Sequence, residues 1–261
     1  FLTKYNNIKY FQLILSLHDT HILSQGKNAN DILNRYNKYI DNVITLTPWH
    51  KSNIIKLHPS IPSNKIEIIN NGIDISQFLK TNKINNVSYI APGDSHIIVV
   101  TDEGGGRLKK IKNKFVWSSR TERGLHIVLK LWNEILEKLP DATLDICSYG
   151  KFPKDKEDEK MLEIINKHSS ITYHGKLNTK ELYDLMSISE YWLYTSTFPE
   201  TSCITAMEML MSGVICLYYP LAGLVDTIGS YGIQVKSGNE IESLIDLSEE
   251  RKKELIKNGK E

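Results

Sequence analysis

From Lys114 onward, short apolar runs alternate with stretches in which apolar residues recur every three or four positions. The runs Phe115–Ser118, Thr143–Ser148, Ile171–His174, Tyr191–Tyr194 and Val214–Tyr218 have the length and composition of buried strands. Between the first two, Leu125, Val128, Leu129, Trp132, Ile135, Leu136 and Leu139 share one face of a helix that Pro140 ends. The charge run Lys151–Lys160 reads as a solvated face continuing into a helix through Met161, Ile164 and Ile165. Thr179–Ser187 reads as a further helix, and Ile241–Lys257 as a single last one. Strands alternating with helices at this spacing predict a doubly wound parallel sheet.

Upstream the same alternation is shorter. Tyr10–Leu17, Asn42–Leu46 and Lys65–Ile69 read as strands and Asp31–Tyr39 and Lys51–Leu57 as helices, with the turn Asn70-Asn71-Gly72-Ile73-Asp74 closing the third strand. Between Phe78 and Ile111, Lys, Asn, Pro and Gly are plentiful, and His96–Thr101 predicts a strand running into Gly104, Gly105 and Gly106. No helix with a Lys-Ser or Lys-Thr pair follows these glycines, so they read as a loose turn and not a phosphate loop. The expected organisation is an amino-terminal unit over 1–77, a connecting segment over 78–112 and a second domain over 113–261.

A chain of 261 residues can bury a sizeable core, and a net charge of +1 gives no electrostatic case for nucleic acid as a partner. Cys147, Cys203 and Cys216 stand in apolar surroundings without metal-ligand spacing, which predicts reduced core thiols, a cytoplasmic setting and no metal site. The best candidate for a membrane span, Val214–Val225, is short and broken by Pro220, so no transmembrane segment is expected. Phe11–Leu17 behind Lys4 and Lys9 has a faint likeness to a secretion signal, but it runs into His18 and Asp19 and reads as a buried strand. Phe1 in place of a start methionine leads to the expectation that the chain begins partway through something larger.

Candidate chemistry concentrates between Tyr194 and Tyr219. Seven residues separate Glu200 from Glu208, and Glu208 is the only charged side chain from Thr201 to Tyr219. Its neighbours Ala206, Met207, Met209, Leu210 and Met211 predict a short helix buried all round, where a carboxylate is costly unless hydrogen-bonded. A distant Lys or Arg, the surface, or a ligand rich in hydroxyls would each satisfy it. Arg120 and Arg123 stand between a strand and a helix start, a place that favours anions through free amides and the helix dipole. Two guanidinium groups there suit a diphosphate or simply face solvent. Ser202, Cys203, Ile204 and Thr205 would present amides at a second helix start.

These residues resemble the signature of the retaining glycosyltransferases of the GT-B fold, family 4 in particular. Glu200 and Glu208, followed by a small residue and Gly213, match its paired acids, and Arg120–Gly124 matches its phosphate-binding turn. Ile44–Asp74 is similar to the end of its amino-terminal domain. Thr201, Ser202 and Cys203 stand where the family usually has Gly-Phe-Gly, and the Arg120–Arg123 spacing is shorter than usual. The resemblance implies a GT-B fold with a doubly wound carboxyl-terminal domain and a partial Rossmann-like amino-terminal one, lacking its first strands and a closing helix.

By the same resemblance, Glu208 binds the ribose of a nucleotide sugar and Glu200 contacts the transferred sugar. Arg120 and Arg123 hold the diphosphate, with help from the amides of Ile204 and Thr205. Gly175 to Leu177 cradle the base, and His18 faces the donor sugar. The implied activity is transfer of a hexosyl group from a UDP-sugar, or next a GDP-sugar, to a glycan, lipid or protein acceptor. Neither a cofactor nor a metal is implied. A donor-binding module completed by a partner subunit, a homo-oligomer, a nucleotide-sugar epimerase of the same architecture and a peripheral membrane position all remain open.

Overall fold

The computed structural model describes residues 13–18, 37–81, 87–90, 97–100 and 110–260. The expected helix over Asp31–Tyr39 falls mostly outside them; its last residues, Asn37–Tyr39, form a 3-10 turn. By internal contacts the chain divides into two units, one of residues 1–72 with 199–203 and 222–227, the other of the remainder.

The first unit holds a parallel three-stranded sheet in the order β1 (Ile14–Ser16), β2 (Asn42–Thr45), β3 (Ile66–Ile68). Helix α1 (Pro48–Leu57) crosses between β2 and β3 and starts three residues earlier than its apolar spacing predicts. Pro48 occupies its first turn, and the Thr47 side chain accepts from the His50 amide, so the start is capped chemically. Leu17, Ile40, Val43, Ile54, Ile61 and Ile66 form the core between helix and sheet. Residues 199–203 and 222–227 belong to this unit through specific bonds. Thr47 Oγ1 donates to the Thr201 carbonyl at 2.9 Å, and the Trp49 amide donates to Asp226 Oδ2 at 2.6 Å.

The second unit opens with α2 (Ile75–Thr81). Within the span expected to be a connection, β4 (Val87–Ile90) and β5 (Ile97–Val100) pair antiparallel. Then follow β6 (Lys114–Ser118), α3 (Leu125–Lys138), β7 (Thr143–Cys147), α4 (Lys156–Lys167), β8 (Ile171–Gly175), α5 (Thr179–Ile188) and β9 (Tyr191–Tyr194). The chain continues through α6 (Ile204–Met211), β10 (Ile215–Tyr218), α7 (Gly223–Ile228), β11 (Ile233–Gln234), α8 (Glu240–Ile245) and α9 (Glu249–Asn258).

Six of these strands form a parallel sheet in the order β11-β10-β9-β6-β7-β8. The order runs outward from β6 in one direction and from β9 in the other, so the topological switch lies between β6 and β9. The predicted face of α3 is buried at Leu125, Val128, Leu129, Trp132 and Ile135, and Trp132 meets Phe115 edge-on with ring centroids 5.6 Å apart.

Two expectations fail for identifiable reasons. The last helix is not single: α8 and α9 are separated where the Ser248 side chain accepts from the Arg251 amide, because Ser favours a cap over a helix interior. Helix α6 is not buried all round; Ala206, Met209 and Leu210 are buried, whereas Ile204 is exposed and Glu208 half-buried. An apolar composition sets no direction, and α6 lies along β10 with its other face turned away.

The sheet also carries buried charge. Lys114 on β6 and His174 on β8 both reach Asp145 on β7, the ammonium at Asp145 Oδ2 and the imidazole Nε2 at 2.5 Å from Asp145 Oδ1. The register slips between Ile146 and Cys147, leaving His174 as an extra residue on β8, and such a bulge re-aims a side chain. Burial pushes the Asp145 carboxyl up, but the His174 bond and the Lys114 charge together hold it below the usual carboxylate range. Its stabilising contribution is therefore present above the ordinary carboxylate pKa and is lost as pH falls through the lowered one. Asp145→Ala removes the counter-charge of a buried ammonium and should destabilise the fold by roughly 3–5 kcal/mol, read as a lower urea midpoint at unchanged slope.

Candidate functional site

The carboxyl ends of β6 and β9 meet beside the switch. After β6 the chain makes a 3-10 turn, Thr121–Arg123, and Gly124 then adopts φ +118° before α3 begins. A Cβ on Gly124 would stand 2.2 Å from the Thr195 carbonyl oxygen, so only glycine admits this approach. Thr195 Oγ1 donates back to the Gly124 carbonyl at 2.9 Å. The turn is braced from outside as well. Thr121 Oγ1 donates to the buried Asp158 at 3.1 Å, and Lys154 Nζ pairs with Glu122 at 2.8 Å.

This bracing presents the two predicted arginines. Arg120 is half exposed, with its guanidinium 5.4 Å from the Tyr149 ring centre and 3.9 Å from Glu122. Arg123 lies 4.4 Å over the Phe198 ring, just past β9. Both guanidinium groups are thus held against aromatic faces. No side chain caps the α3 start beside them.

Alongside, a shallow cleft of about 60 Å³ opens at the ends of β6, β7 and β8, lined among others by Ser118, Ser148, Tyr149, Gly175, Leu177 and Leu182. Gly175 has φ +69° and nothing near its Cβ position but the Tyr173 ring edge at 3.9 Å. Tyr149 and Leu182 give no sign of this placement in the sequence. Cys147 also borders the cleft; burial pushes its thiol up to about 12, so it sits there protonated and unreactive.

Leu182 carries the site to the second predicted acid, because the next residue, Tyr183, donates its hydroxyl to Glu208 Oε1 at 2.8 Å. Burial raises the Glu208 carboxyl above the usual range, and the Tyr183 bond opposes that rise. Among the described residues no Lys or Arg pairs with it. Four buried carboxylates differ in having a donor on both oxygens, whereas the half-buried Asp184 takes Lys180 on Oδ2 and has no partner for Oδ1 among the described residues. Asp145 has His174 and Lys114, and Asp158 has the Thr121 hydroxyl and the Lys154 amide. Glu190 has the Asn113 amide and Lys252, and Glu240 has Tyr219 and the Gly238 amide. Among the described residues Glu208 is engaged at Oε1 alone. A carboxylate with one oxygen unengaged can accept from further hydroxyl donors.

Of the remaining predicted residues, His18, Glu200, Ser202 and Cys203 lie in the first unit and Ile204 and Thr205 in the second. Glu200 is buried, and its carbonyl accepts from the Gly223 amide at 2.8 Å; a Cβ on Gly223 would fall 2.4 Å from the Thr201 carbonyl. Thr201 Oγ1 donates at 3.2 Å to the carbonyl of His18, whose exposed ring stands 3.3 Å from Ser16 Oγ. Ser202 has a buried hydroxyl without a hydrogen-bond partner, and the Cys203 amide already donates to Thr227 Oγ1 at 3.4 Å. Of the four amides expected at the α6 start, that of Cys203 is thus already engaged. Among the described residues no group of three or more His, Cys, Asp or Glu could hold a metal, and no helix is long and apolar enough to cross a membrane.

The family model for glycosyl transferases group 1 matches residues 103–261, which span the six-stranded sheet and every element of the Arg120–Glu208 site. The chain belongs to the group 1 glycosyltransferases. Solved structures agree in fold. A TarM variant from S. aureus, in complex with fondaparinux, alpha-GlcNAc-glycerol and UDP, is 15% identical with a TM-score of 0.67, over 99% of this chain and 48% of that one. HepE from Anabaena, in complex with UDP and glucose, is 16% identical with a TM-score of 0.64, over 95% and 66%. A GtfA/B complex is 18% identical with a TM-score of 0.63, over 95% and 48%. The architecture is thus the GT-B one, and the chain spans about half to two thirds of the structures it matches. No curated protein matches it.

In this glycosyltransferase the Gly124–Thr195 approach is the most sharply constrained point of the site. Gly124→Ala combines a left-handed φ with a backbone collision and should cost about 3 kcal/mol, read as a lowered Tm of the ligand-free chain. An unchanged Tm would show that the turn relaxes freely.

Proposed function

We propose that this chain carries the donor site of a retaining family 4 glycosyltransferase that takes a hexosyl group from a UDP-sugar. The observation that carries the reading is Glu208, a half-buried carboxylate whose one donor among the described residues is the neutral Tyr183 hydroxyl, in a chain of the group 1 glycosyltransferases. A ribose offers two adjacent hydroxyls to such an acceptor. Arg120, Arg123 and the α3 start form the cationic end of the same row, where a diphosphate would gain charge as the sugar leaves. Fixed guanidinium donors and helix amides, the latter from Ile204 and Thr205 as well, stabilise that charge without reorganising, and no step calls on a metal.

The base falls to Gly175–Leu177 at the end of β8, in the cleft that Tyr149 closes on one side. Sugar-contacting roles go to Glu200 and His18, which the Thr201–His18 bond ties together in the first unit. UDP is favoured as the nucleotide because TarM and HepE are both described in complex with it. The buried, free thiols suit a cytoplasmic setting.

Calorimetry with UDP tests the reading. Glu208→Ala should weaken binding roughly ten- to a hundredfold, since bonds to charged groups are worth about 1.5–3 kcal/mol. Unchanged affinity removes the ribose role. Arg120→Ala and Arg123→Ala should each lower donor turnover roughly a hundredfold; near-normal rates for both would remove the diphosphate assignment. UDP binding without any turnover would point to a second subunit, as in the GtfA/B complex.

A further inference from the structure

Tyr183 reads in the sequence as one more apolar position of an amphipathic helix, yet its hydroxyl is committed to a single task. It sits in the second turn of α5, a helix whose start is fixed by a capping box between Asn178 and Glu181. Phe78 on α2 packs against its ring, with centroids 4.4 Å apart and planes at 33°. Phe78 is itself 2% exposed, so the phenol ring packs against a buried neighbour. From that position Tyr183 Oη reaches Glu208 Oε1, 25 residues further along the chain, at 2.8 Å.

We infer that Tyr183 is a positioning residue for nucleotide binding: held by Phe78, its hydroxyl fixes one oxygen of Glu208 and leaves the other lone pairs of the carboxylate for ribose hydroxyls. The inference rests on the reading of Glu208 given above. Its basis is the contrast with Asp145, Asp158, Glu190 and Glu240, whose oxygens are all engaged by the protein. A donor on one oxygen restricts the rotation of a carboxyl group while the acceptor capacity of the other persists. Leu182, adjacent in sequence, lines the cleft, so the same helix shapes the base pocket and sets the ribose acceptor.

The arrangement also fixes how binding should depend on pH. Ribose hydroxyls donate to the ionised carboxylate, so UDP affinity falls as pH drops through the raised Glu208 pKa. Tyr183 is the titratable group facing Glu208, and Asp74 is the charged group acting on the Tyr183 phenol. Removing the Tyr183 hydroxyl takes away the bond that opposes the rise, and the loss of affinity should begin at a higher pH. The nucleotide's own titration is common to both proteins and cancels in the comparison.

The test is a double-mutant cycle read by calorimetry with UDP on the full chain. Phenylalanine at 183 keeps the packing against Phe78, and thermal unfolding of the ligand-free variant checks that the fold persists. Tyr183→Phe should weaken UDP binding about tenfold. In the Glu208→Ala background the same change should have little further effect, because the hydroxyl acts through the carboxylate. The affinity of Tyr183→Phe should also start to fall at a higher pH than that of the parent. Wild-type affinity in Tyr183→Phe, or losses that add in the double variant, would overturn the inference. If Glu208→Ala alone leaves UDP affinity unchanged, the ribose reading itself fails, a result distinct from either of those.

Discussion

The close approach of Gly124 to the Thr195 carbonyl sets the geometry of the whole second-unit site. Its two sides are the strand ends that flank the topological switch, so the turn bearing Arg120 and Arg123 cannot move independently of the segment leading to Phe198. A hydrogen bond from Thr195 back to Gly124 closes the junction in both directions. The first unit repeats the device, where Gly223 packs against the carbonyls of Glu200 and Thr201 and so holds the loop that carries the first acid. In both places a missing side chain lets backbone meet backbone, and the functional groups are positioned by what surrounds them.

Buried carboxylates divide the interior into structure and function. Asp158 ties the phosphate-side turn to α4, and Glu190 receives Lys252 from α9 and the Asn113 amide at the foot of β6. Asp145 joins three strands through Lys114 and the bulged His174. Each has a donor for each oxygen, which is what burial demands of a charge. The half-buried Glu208 departs from that pattern, with the Tyr183 hydroxyl on Oε1 as its one donor among the described residues, and so does Asp184, whose Oδ1 has no partner there.

Much of this was legible from the sequence because the second unit is built from strong local signals. The buried strands read as apolar runs, α3 reads as one unbroken face, and the Arg120–Gly124 turn is contiguous, so the paired acids and the phosphate turn could be found together. What stayed hidden is non-local. Nothing near Tyr183 announces a partner 25 residues away, and no pattern marks His174 as the extra residue of a bulge. Local chemistry also misled where two outcomes share a composition. The Met-rich α6 has the residues of a fully buried helix but exposes Ile204, and Ser248 divides a helical pattern that looked continuous. Helix α7 begins at Gly223, whose lack of a side chain admits the close contact with the carbonyls of Glu200 and Thr201.

Why a phenol, and not a cation, stands against Glu208 follows from the energetics of an acceptor that must be used repeatedly. A lysine or arginine at that place would satisfy the carboxylate in the empty protein, and a ligand would then have to displace or compete with a buried ion pair. With no donor at all, desolvation would push the group toward its neutral form, which accepts poorly. One neutral hydroxyl lies between these extremes, lowering the cost of holding charge while leaving affinity for further donors. Arg120 and Arg123 likewise rest on aromatic rings. On the proposed reading of Glu208, a weak partner of this kind is what would allow a nucleotide to bind there and then leave.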